Sequence, residues 1–265
     1  MTANDERVRY TAVVMAGTRS GGDPLAAVAG VSHKCLVEVG GKPMLLRMLE
    51  TLEASSRVRD IVLCVENTLP GIDYLASRIE DGTLRRLDAA ASPAASATRA
   101  AEYLGDDMPL LIVTADHPLL DETMLEHFCA RASRAGDIAA AVARSEVVLA
   151  RYPEATRTLL RFADGPYCGC NLFALNTPAA TVATRFWMQI ESERKRPWRI
   201  VRMLGLVSLV SYLRGRLVLD KAMNELSQNL GIRAGIVEMP FAEAAIDVDK
   251  PADLALVESV LAKPR

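Results

Sequence analysis

The sequence lacks an excess of charge of either sign. Its 31 Lys and Arg residues are balanced by 33 Asp and Glu residues, so the formal net charge is −2. Binding to the phosphate backbone of a nucleic acid requires clustered positive charge. We therefore expect no nucleic-acid partner and favour small-molecule chemistry.

The sequence has no long apolar segment of the kind that a signal peptide or a transmembrane helix requires. The first ten residues, MTANDERVRY, contain no apolar stretch of signal-peptide type. The segment 194–216 mixes an apolar run with basic residues and is too short and too charged at its ends to span a bilayer. These absences predict a cytoplasmic protein without a transmembrane segment.

Cysteines are few, and their spacing is not that of a disulfide framework. The five cysteines are an odd number scattered through apolar or loop-like segments, which suits a reducing compartment. Only Cys168 and Cys170 lie close together, and a Cys-x-Cys pair without a nearby His or second cysteine pair is poor zinc spacing. We expect neither disulfides nor structural zinc.

Hydrophobic residues are abundant, at 50% of the 265 residues, which is enough for one large domain or a core domain with an insertion. Their pattern predicts strands at 8–15, 60–66, 109–115 and 137–143, alternating with helices at 44–52, 94–104 and 122–135. A long helical stretch at 179–230 lies between further strands at 169–176 and 232–239, and a strand at 246–249 precedes a closing helix at 251–261. The alternation predicts an α/β fold with a parallel or mixed sheet that binds ligands at the carboxyl ends of its strands.

A glycine-rich loop follows the first predicted strand. It reads MAGTRSGGDP at 15–24, and SHKCL at 32–36 and GGKPM at 40–44 come after it. Glycines allow backbone N–H groups to approach a polyphosphate, whose charge Arg19 and Lys34 could neutralise. The loop is neither G-x-G-x-x-G nor a Walker A motif, and an ordinary surface loop is an equally good interpretation of the glycines alone.

Acidic residues end two other predicted strands. Asp116 follows a buried apolar strand and is held by the nearby Pro118, a rigid position for a carboxylate that binds Mg²⁺. Asp121 is better placed to cap the next helix, and we interpret the two neighbouring histidines, His117 and His127, as structural.

Near the C-terminus, the sequence AIDVDKPADL at 245–254 carries Asp247 and Asp249 on the predicted strand 246–249. We expect them to project to opposite faces, one towards a metal and the other organising the loop. We favour Asp247 as the ligand of Mg²⁺, with Asp249 as the second candidate. The alternative role of Asp249, capping the helix at 251–261, stays open.

Together these motifs resemble the signature of nucleotidyltransferases with the GT-A-like fold, especially MobA-like NTP transferase domains. The resemblance rests on the strand–AG-x-R loop, the lysine fifteen residues on, G-G-K-P-M, D-x-P-L-L at Asp116 and D-x-D-x-P-x-D-L near the end. It implies a three-layer, Rossmann-like domain over 1–265, with a mixed, mostly parallel sheet. Residues 1–145 would form its nucleotide-binding half and 146–265 its acceptor half, with a helical insertion at about 179–230.

The resemblance also implies a reaction: magnesium-dependent transfer of NMP from an NTP to a small phosphorylated acceptor, with release of pyrophosphate. The implied catalytic residues are Lys34, Arg19 and Asp116, the nucleotide-binding residues are Ala16, Gly17, Thr18, Arg19, Lys34, Ser92 and Ser96, and the metal ligands are Asp116, Asp247 and Asp249. Thr18 departs from the family, where a second glycine is usual, and the loop is longer. The R-M-G-x-D-K run of molybdenum-cofactor guanylyltransferases is absent from the sequence.

The nucleoside and acceptor contacts have simpler alternatives. Ser92 and Ser96 lie in a small polar turn that could contact a nucleoside or merely cap a helix. Asn171, with Gly169, belongs either to an acceptor-binding turn or to an ordinary turn into a core strand. The segment 194–216 is a packed insertion or a basic surface for a membrane or a lipid-linked precursor. Arg199 and Arg202 of that insertion are our candidates for binding an anionic acceptor.

Two other functions are also compatible with the sequence. A GT-A glycosyltransferase could use the same sheet and metal carboxylates with a nucleotide sugar, although the G-x-R and Lys pattern disfavours it. A non-catalytic nucleotide-binding module is compatible with the altered loop at Thr18. The base, the acceptor and the formation of a homodimer stay open.

Overall fold

A central eight-stranded sheet organises the fold in the computed structural model, which describes residues 7–18, 22–66, 73–192 and 206–262. The strands are β1 (Tyr10–Met15), β2 (Glu38–Val39), β3 (Lys42–Pro43), β4 (Val58–Val65), β5 (Arg85–Asp88), β6 (Leu110–Thr114), β7 (Ile138–Arg144), β8 (Leu159–Phe162), β9 (Gly165–Leu175) and β10 (Ala234–Glu238). The helices are α1 (Pro24–Ala29), α2 (Met44–Ala54), α3 (Asp73–Glu80), α4 (Pro93–Tyr103), α5 (Glu122–Ala135), α6 (Ser145–Arg151), α7 (Thr181–Ser192), α8 (Leu206–Leu213), α9 (Leu219–Leu230) and α10 (Pro251–Leu261).

The strand order is β10-β7-β9-β6-β1-β4-β5, and β8 pairs with β9 outside this path. Neighbouring strands are parallel except where β9 pairs with β6, β7 and β8. The carboxyl ends of β1, β4, β5 and β6 therefore meet at one edge of the sheet, and the antiparallel β9 begins at that edge. Strands β2 and β3 form a separate two-stranded sheet.

Helices pack on both faces because their apolar residues recur at helical spacing. On one face, α2 buries Met44, Met48 and Leu52 in the main core, together with apolar residues of α5. On the other face, α4 packs its small residues Ala97 and Ala101 against β1, β4 and β6. The three-layer, mostly parallel α/β fold that the sequence predicted is confirmed.

Most predicted elements lie within two residues of the observed ones, and the helix at Glu122–Ala135 was predicted with its bounds. The predicted cap is also confirmed, since the Asp121 side chain accepts a hydrogen bond from the Met124 backbone N–H. The predicted helical insertion corresponds to α7, α8 and α9. Residues 193–205, between α7 and α8, lie outside the described residues. Within the described ranges, no helix is both long and apolar enough to cross a membrane.

The second half of the chain, residues 146–265, departs more from prediction. Helix α6 and strand β8 were not predicted, and β9 begins at Gly165 rather than at 169. The predicted strand at 246–249 was wrong, because this segment pairs with no strand in the structure. One backbone hydrogen bond, from Val248 N–H to the Asp116 carbonyl at 2.9 Å, holds it beside the end of β6 instead.

Candidate active site

A cavity of about 390 Å³ opens at the carboxyl edge of the sheet. Loops after β1, β5 and β6 reach it, and β9, α7 and the segment before α10 complete its wall. The sequence-predicted residues among its lining are Gly17, Thr18, Lys34, Ser92, Ser96, Asp116, Asn171, Asp247 and Asp249. The fold thus brings into one cavity side chains that lie more than 200 positions apart in the sequence.

Lys34 lies between two carboxylates in this cavity. Its ammonium donates to Asp116 Oδ2 at 2.6 Å and also to Asp249 Oδ1. Burial disfavours the charged ammonium and lowers its pKa, but the two carboxylates have the larger combined effect and raise the pKa of Lys34. Burial likewise opposes ionisation of Asp116, yet the nearby Lys34 ammonium lowers the pKa of that carboxyl. Both groups are therefore charged at neutral pH.

Asp247 occupies a different electrostatic environment. Burial and the nearby charge of Asp116 raise its pKa to about 6, although Arg157 favours its ionised form. Arg157 donates to the Asp247 carboxylate and backbone carbonyl, and to Asp253 Oδ1 at 3.0 Å. Asn171 Nδ2 donates to the other Asp247 oxygen at 2.9 Å. Asp247 is thus held on both sides by side chains that lie far away in sequence.

The expectation that Asp247 and Asp249 project to opposite faces was wrong. Residues two apart in an extended segment share a side. The intervening Val248, like Ile246, is fully buried in the core, and both aspartates line the cavity. Asp249 does not cap α10 through its side chain. Lys250 occupies that position instead, and Asp253 lies in the first turn of the helix as predicted.

The loop after β1 is held close to the end of β4. Thr18 N–H donates to Glu66 Oε1 at 2.6 Å, and the buried Thr18 hydroxyl has no hydrogen-bond partner among the described residues. A Cβ atom added to Gly17 would lie 2.7 Å from Ala89 Cβ, so packing requires glycine there. Ala16 does not line the cavity: it is buried, and its N–H continues the β1 pairing by donating to the Cys64 carbonyl.

The two predicted nucleoside-contacting serines are already engaged within the protein. Ser92 caps α4 by accepting from Ala95 N–H, and its hydroxyl donates to Glu191 of α7. Ser96 is buried, and its hydroxyl accepts from Ala90 N–H at 2.8 Å. The capping alternative is therefore observed for Ser92, although both serines do line the cavity.

Asn171 lies inside β9 rather than in a turn before it. Its φ is 48°, in the left-handed region that asparagine tolerates better than most residues. Pairing between β7 and β9 changes register at this point, which identifies a bulge of the kind often found beside functional sites. Gly169 does not line the main cavity but lines an adjoining one of about 340 Å³, which Asn171 and Asp247 also line.

The histidines have structural environments. His117 is buried, and burial lowers its pKa to about 4, so it is neutral at physiological pH. His127 contacts the Glu238 carbonyl at 3.0 Å and lies edge-on to the Phe241 ring at 5.4 Å. Arg19, Arg199 and Arg202 lie outside the described residues, so their predicted roles stay predictions.

The cavity carboxylates are suited to a divalent cation shared with substrate phosphates. Among the residues that the structure describes, no three Asp, Glu, His or Cys side chains form a complete ligand group. Mg²⁺ typically uses one or two protein carboxylates and completes its coordination with water and phosphate oxygens. Asp116 and Asp247 fit this pattern, because both line the cavity and the charge of one raises the pKa of the other.

Comparison with protein families gives a match to the model described as MobA-like NTP transferase domain over residues 12–184. The chain belongs to the MobA-like NTP transferase family. The match includes the β1 loop, Lys34, Asp116 and Asn171, whereas Glu191, Asp247 and Asp249 lie beyond it. Membership supports nucleotidyl transfer from an NTP as the chemistry of the cavity. No curated protein matches the sequence.

Solved structures with the same fold include other transferases. A hypothetical transferase from Thermus thermophilus is 27% identical to this MobA-like chain, with a TM-score of 0.77 over 93% of this chain and 100% of the other. A CMP:2-keto-3-deoxy-manno-octonic acid synthetase complexed with CTP is 14% identical, with a TM-score of 0.54 over 96% and 98%. The 4-diphosphocytidyl-2C-methyl-D-erythritol synthase of Anaerococcus prevotii is 12% identical, with a TM-score of 0.56 over 96% and 97%.

Proposed function

We propose that this chain is a magnesium-dependent nucleotidyltransferase that transfers NMP from an NTP to a small phosphorylated acceptor and releases pyrophosphate. The observation that carries the proposal is the position of Lys34 between Asp116 and Asp249, in a cavity that Gly17 and Asp247 also line. This arrangement combines a glycine loop for phosphates with the Lys34 ammonium and the carboxylates of Asp116, Asp247 and Asp249. It supports phosphoryl chemistry at the edge of the sheet.

In the proposed reaction, an oxygen of the acceptor phosphate forms a bond to the α-phosphorus of the NTP. The bond between that phosphorus and the oxygen bridging to the β-phosphorus breaks, and pyrophosphate leaves with the electron pair. Because the attacking oxygen is already anionic, positioning and charge neutralisation matter more than a general base. This scheme without a base agrees with the position of His117, which is buried and does not line the cavity.

The protein's own groups divide this work. Gly17 offers backbone close to the phosphates, whereas the Thr18 N–H already donates to Glu66. Lys34 neutralises charge that develops at the α-phosphorus. Asp116 and Asp247 would hold Mg²⁺, which supplies charge neutralisation to the phosphate oxygens when bound. Arg157 and Asn171 keep Asp247 in place. Arg19 is assigned to the phosphates by family resemblance alone.

The acceptor is assigned to the side of β9. Asn171 and Gly169 line the cavity adjoining Asp247, and this cavity also contains Thr158 and Lys250. These groups could bind the body of an acceptor whose phosphate points towards Lys34. Helix α7 packs against α4, so the first helix of the insertion lies beside Ser92. The contribution of Arg199 and Arg202 to acceptor binding remains part of the proposal.

Pyrophosphate release tests this function directly. Purified protein would be incubated with Mg²⁺, each of the four NTPs, and sugar, polyol or amino-alcohol phosphates, with Asp116→Ala as the control. CTP is of particular interest because the synthetase of the same fold was solved with it. Release that requires one NTP and one acceptor supports the proposal. A parallel assay would replace the NTP with nucleotide sugars. Turnover of a nucleotide sugar without pyrophosphate release from any NTP indicates a glycosyltransferase, and NTP binding without turnover indicates a non-catalytic module.

A further inference from the structure

Glu191 is a cavity-lining carboxylate without an assigned role. It lies in the last turn of α7, beyond residue 184, where the family match ends. One of its oxygens accepts the hydroxyl proton of Ser92. A carboxylate has two oxygens and about four acceptor positions. Glu191 therefore retains acceptor capacity that can be directed towards a ligand in the cavity.

The neighbouring side chains have little capacity left. The single hydroxyl proton of Ser92 is used on Glu191, and its oxygen already accepts from Ala95 N–H. Ser96 is buried, and its oxygen accepts from Ala90 N–H. Among the described residues around Ser92, Glu191 offers acceptor positions that a ligand can use, and Ser92 acts by positioning it.

Glu191 lies where the C-terminal end of α7 meets the N-terminal end of α4. A carboxylate in the last turn of α7 is unfavourable for that helix. The N-terminus of α4, capped by Ser92, offsets this cost because it is the positive end of that helix. On the outer surface, Arg185 of α7 pairs with Glu102 of α4 at 2.8 Å, which holds the same two helices together away from the cavity.

The chemistry of the cavity limits what Glu191 can bind. An ionised carboxylate accepts hydrogen bonds and repels phosphate oxygens, so it must meet a part of the NTP that presents donors. The ribose carries two adjacent hydroxyls, on C2′ and C3′, and its 5′ oxygen carries the α-phosphate, which the proposed function places near Lys34. A carboxylate can accept from these hydroxyls, as an acidic residue accepts from the ribose 2′-OH in dinucleotide-binding folds.

We propose that Glu191, positioned by Ser92, accepts hydrogen bonds from the ribose hydroxyls of the NTP and selects ribonucleotides over 2′-deoxyribonucleotides. The inference rests on the proposed function, because it requires NTP in this cavity. It assigns sugar selectivity to the helical insertion rather than to the glycine loop.

Equilibrium binding tests this selectivity without the acceptor. Isothermal titration calorimetry with Mg²⁺ would compare each NTP with its 2′-deoxy counterpart for the wild type, Glu191→Ala and Glu191→Gln. For the NTP that binds most tightly, we expect the wild type to favour the ribo form by about tenfold or more, the value of one hydrogen bond to a charged group. Glu191→Ala should bring the ratio close to one, with Glu191→Gln between the two.

The ratio is the informative quantity, because removing a negative charge changes the affinity for both polyanions equally. Arg185→Gln is the matched control: it loosens the contact of α7 with α4 on the outer surface and should leave the ratio unchanged. A wild-type ratio near one, a ratio that Glu191→Ala preserves, or an equal loss in Arg185→Gln would overturn the inference. Failure of every NTP to bind would contradict the proposed function as well, whereas binding without sugar discrimination contradicts this inference alone.

Discussion

The two sides of the cavity are built in different ways. On the side of β1 and β6, Gly17 and Asp116 follow the ends of buried parallel strands, and the hydrogen-bond ladder fixes their positions. On the side of β9 and α10, Asp247 has no such ladder and depends on Arg157 and Asn171. The backbone thus sets the first side, whereas a network of buried side chains sets the second.

This contrast indicates how each side should respond to mutation. Removing Asp116 from the β1–β6 side should reduce the chemical rate and leave the scaffold intact, because strand pairing holds the backbone there and Lys34 keeps Asp249 as a partner. Removing a network residue from the β9–α10 side should reduce stability as well, because it leaves a buried partner charge uncompensated.

Asp116→Ala should give the largest loss of activity. Its carboxylate is the proposed metal ligand at a strand end, and we expect turnover to fall by about a thousandfold or more. Pyrophosphate release at saturating Mg²⁺ measures the effect, and circular dichroism checks the fold. The control is Asp121→Ala, which removes a helix cap worth about 1 kcal/mol of stability and should leave turnover nearly normal. Near-normal activity of Asp116→Ala would remove Asp116 from the mechanism.

Lys34→Ala should slow the chemical step by about a hundredfold or more, since a preorganised positive charge at the transition state contributes several kcal/mol. Single-turnover kinetics isolate that step. Lys42→Ala provides a matched control, because Lys42 is exposed and pairs with Glu50 outside the cavity. If the two variants had similar rates, Lys34 would be a structural lysine that only balances Asp116 and Asp249.

Arg157→Met tests the other side of the cavity. Arg157 is buried and pairs with Asp247 and Asp253, so we expect the free energy of unfolding to fall by about 3–5 kcal/mol. Urea denaturation measures the change. The exposed Arg185→Gln variant should lose about 1 kcal/mol or less. A small effect of Arg157→Met would mean that the Asp247 side is also held by the backbone.

Gly17→Ala should have the smallest of these effects. The added methyl group would lie 2.7 Å from Ala89 Cβ, so the loop must shift, and we expect the NTP KM to rise by about tenfold. Gly105→Ala, where a Cβ atom meets nothing within 4 Å, is the control. The double variant Gly17→Ala with Ala89→Gly relieves the clash and should recover most of the affinity. Without that recovery, the requirement for glycine would have another cause.

The same contrast explains how far prediction from sequence reached. Gly17, Lys34 and Asp116 belong to short motifs at strand ends, where local pattern and position in the sheet agree, and the structure brings them into one cavity. The roles of these residues stay predictions. The fold was predictable for the same reason, since buried parallel strands and amphipathic helices have distinctive periodicities.

Residues that depend on distant partners were missed. Arg157 contacts Asp247 and Asp253, which are 90 and 96 positions away, and no local motif surrounds it. Glu191 contacts Ser92 at a separation of 99 positions. The segment carrying Asp247 was predicted as a strand because apolar and acidic residues alternate along it. The alternation arises because Ile246 and Val248 are buried in the core, but the segment forms no hydrogen-bond ladder with a neighbouring strand.

In the proposed mechanism, Asp116 from the β6 side and Asp247 from the α10 side form one catalytic unit. Pyrophosphate release by Asp116→Asn, Asp247→Asn and the double variant tests it most directly. Groups that act as a unit show non-additive losses. If they bind one metal ion, the double variant should be about as impaired as the worse single variant. Losses that multiply in the double variant would show instead that the two carboxylates act independently.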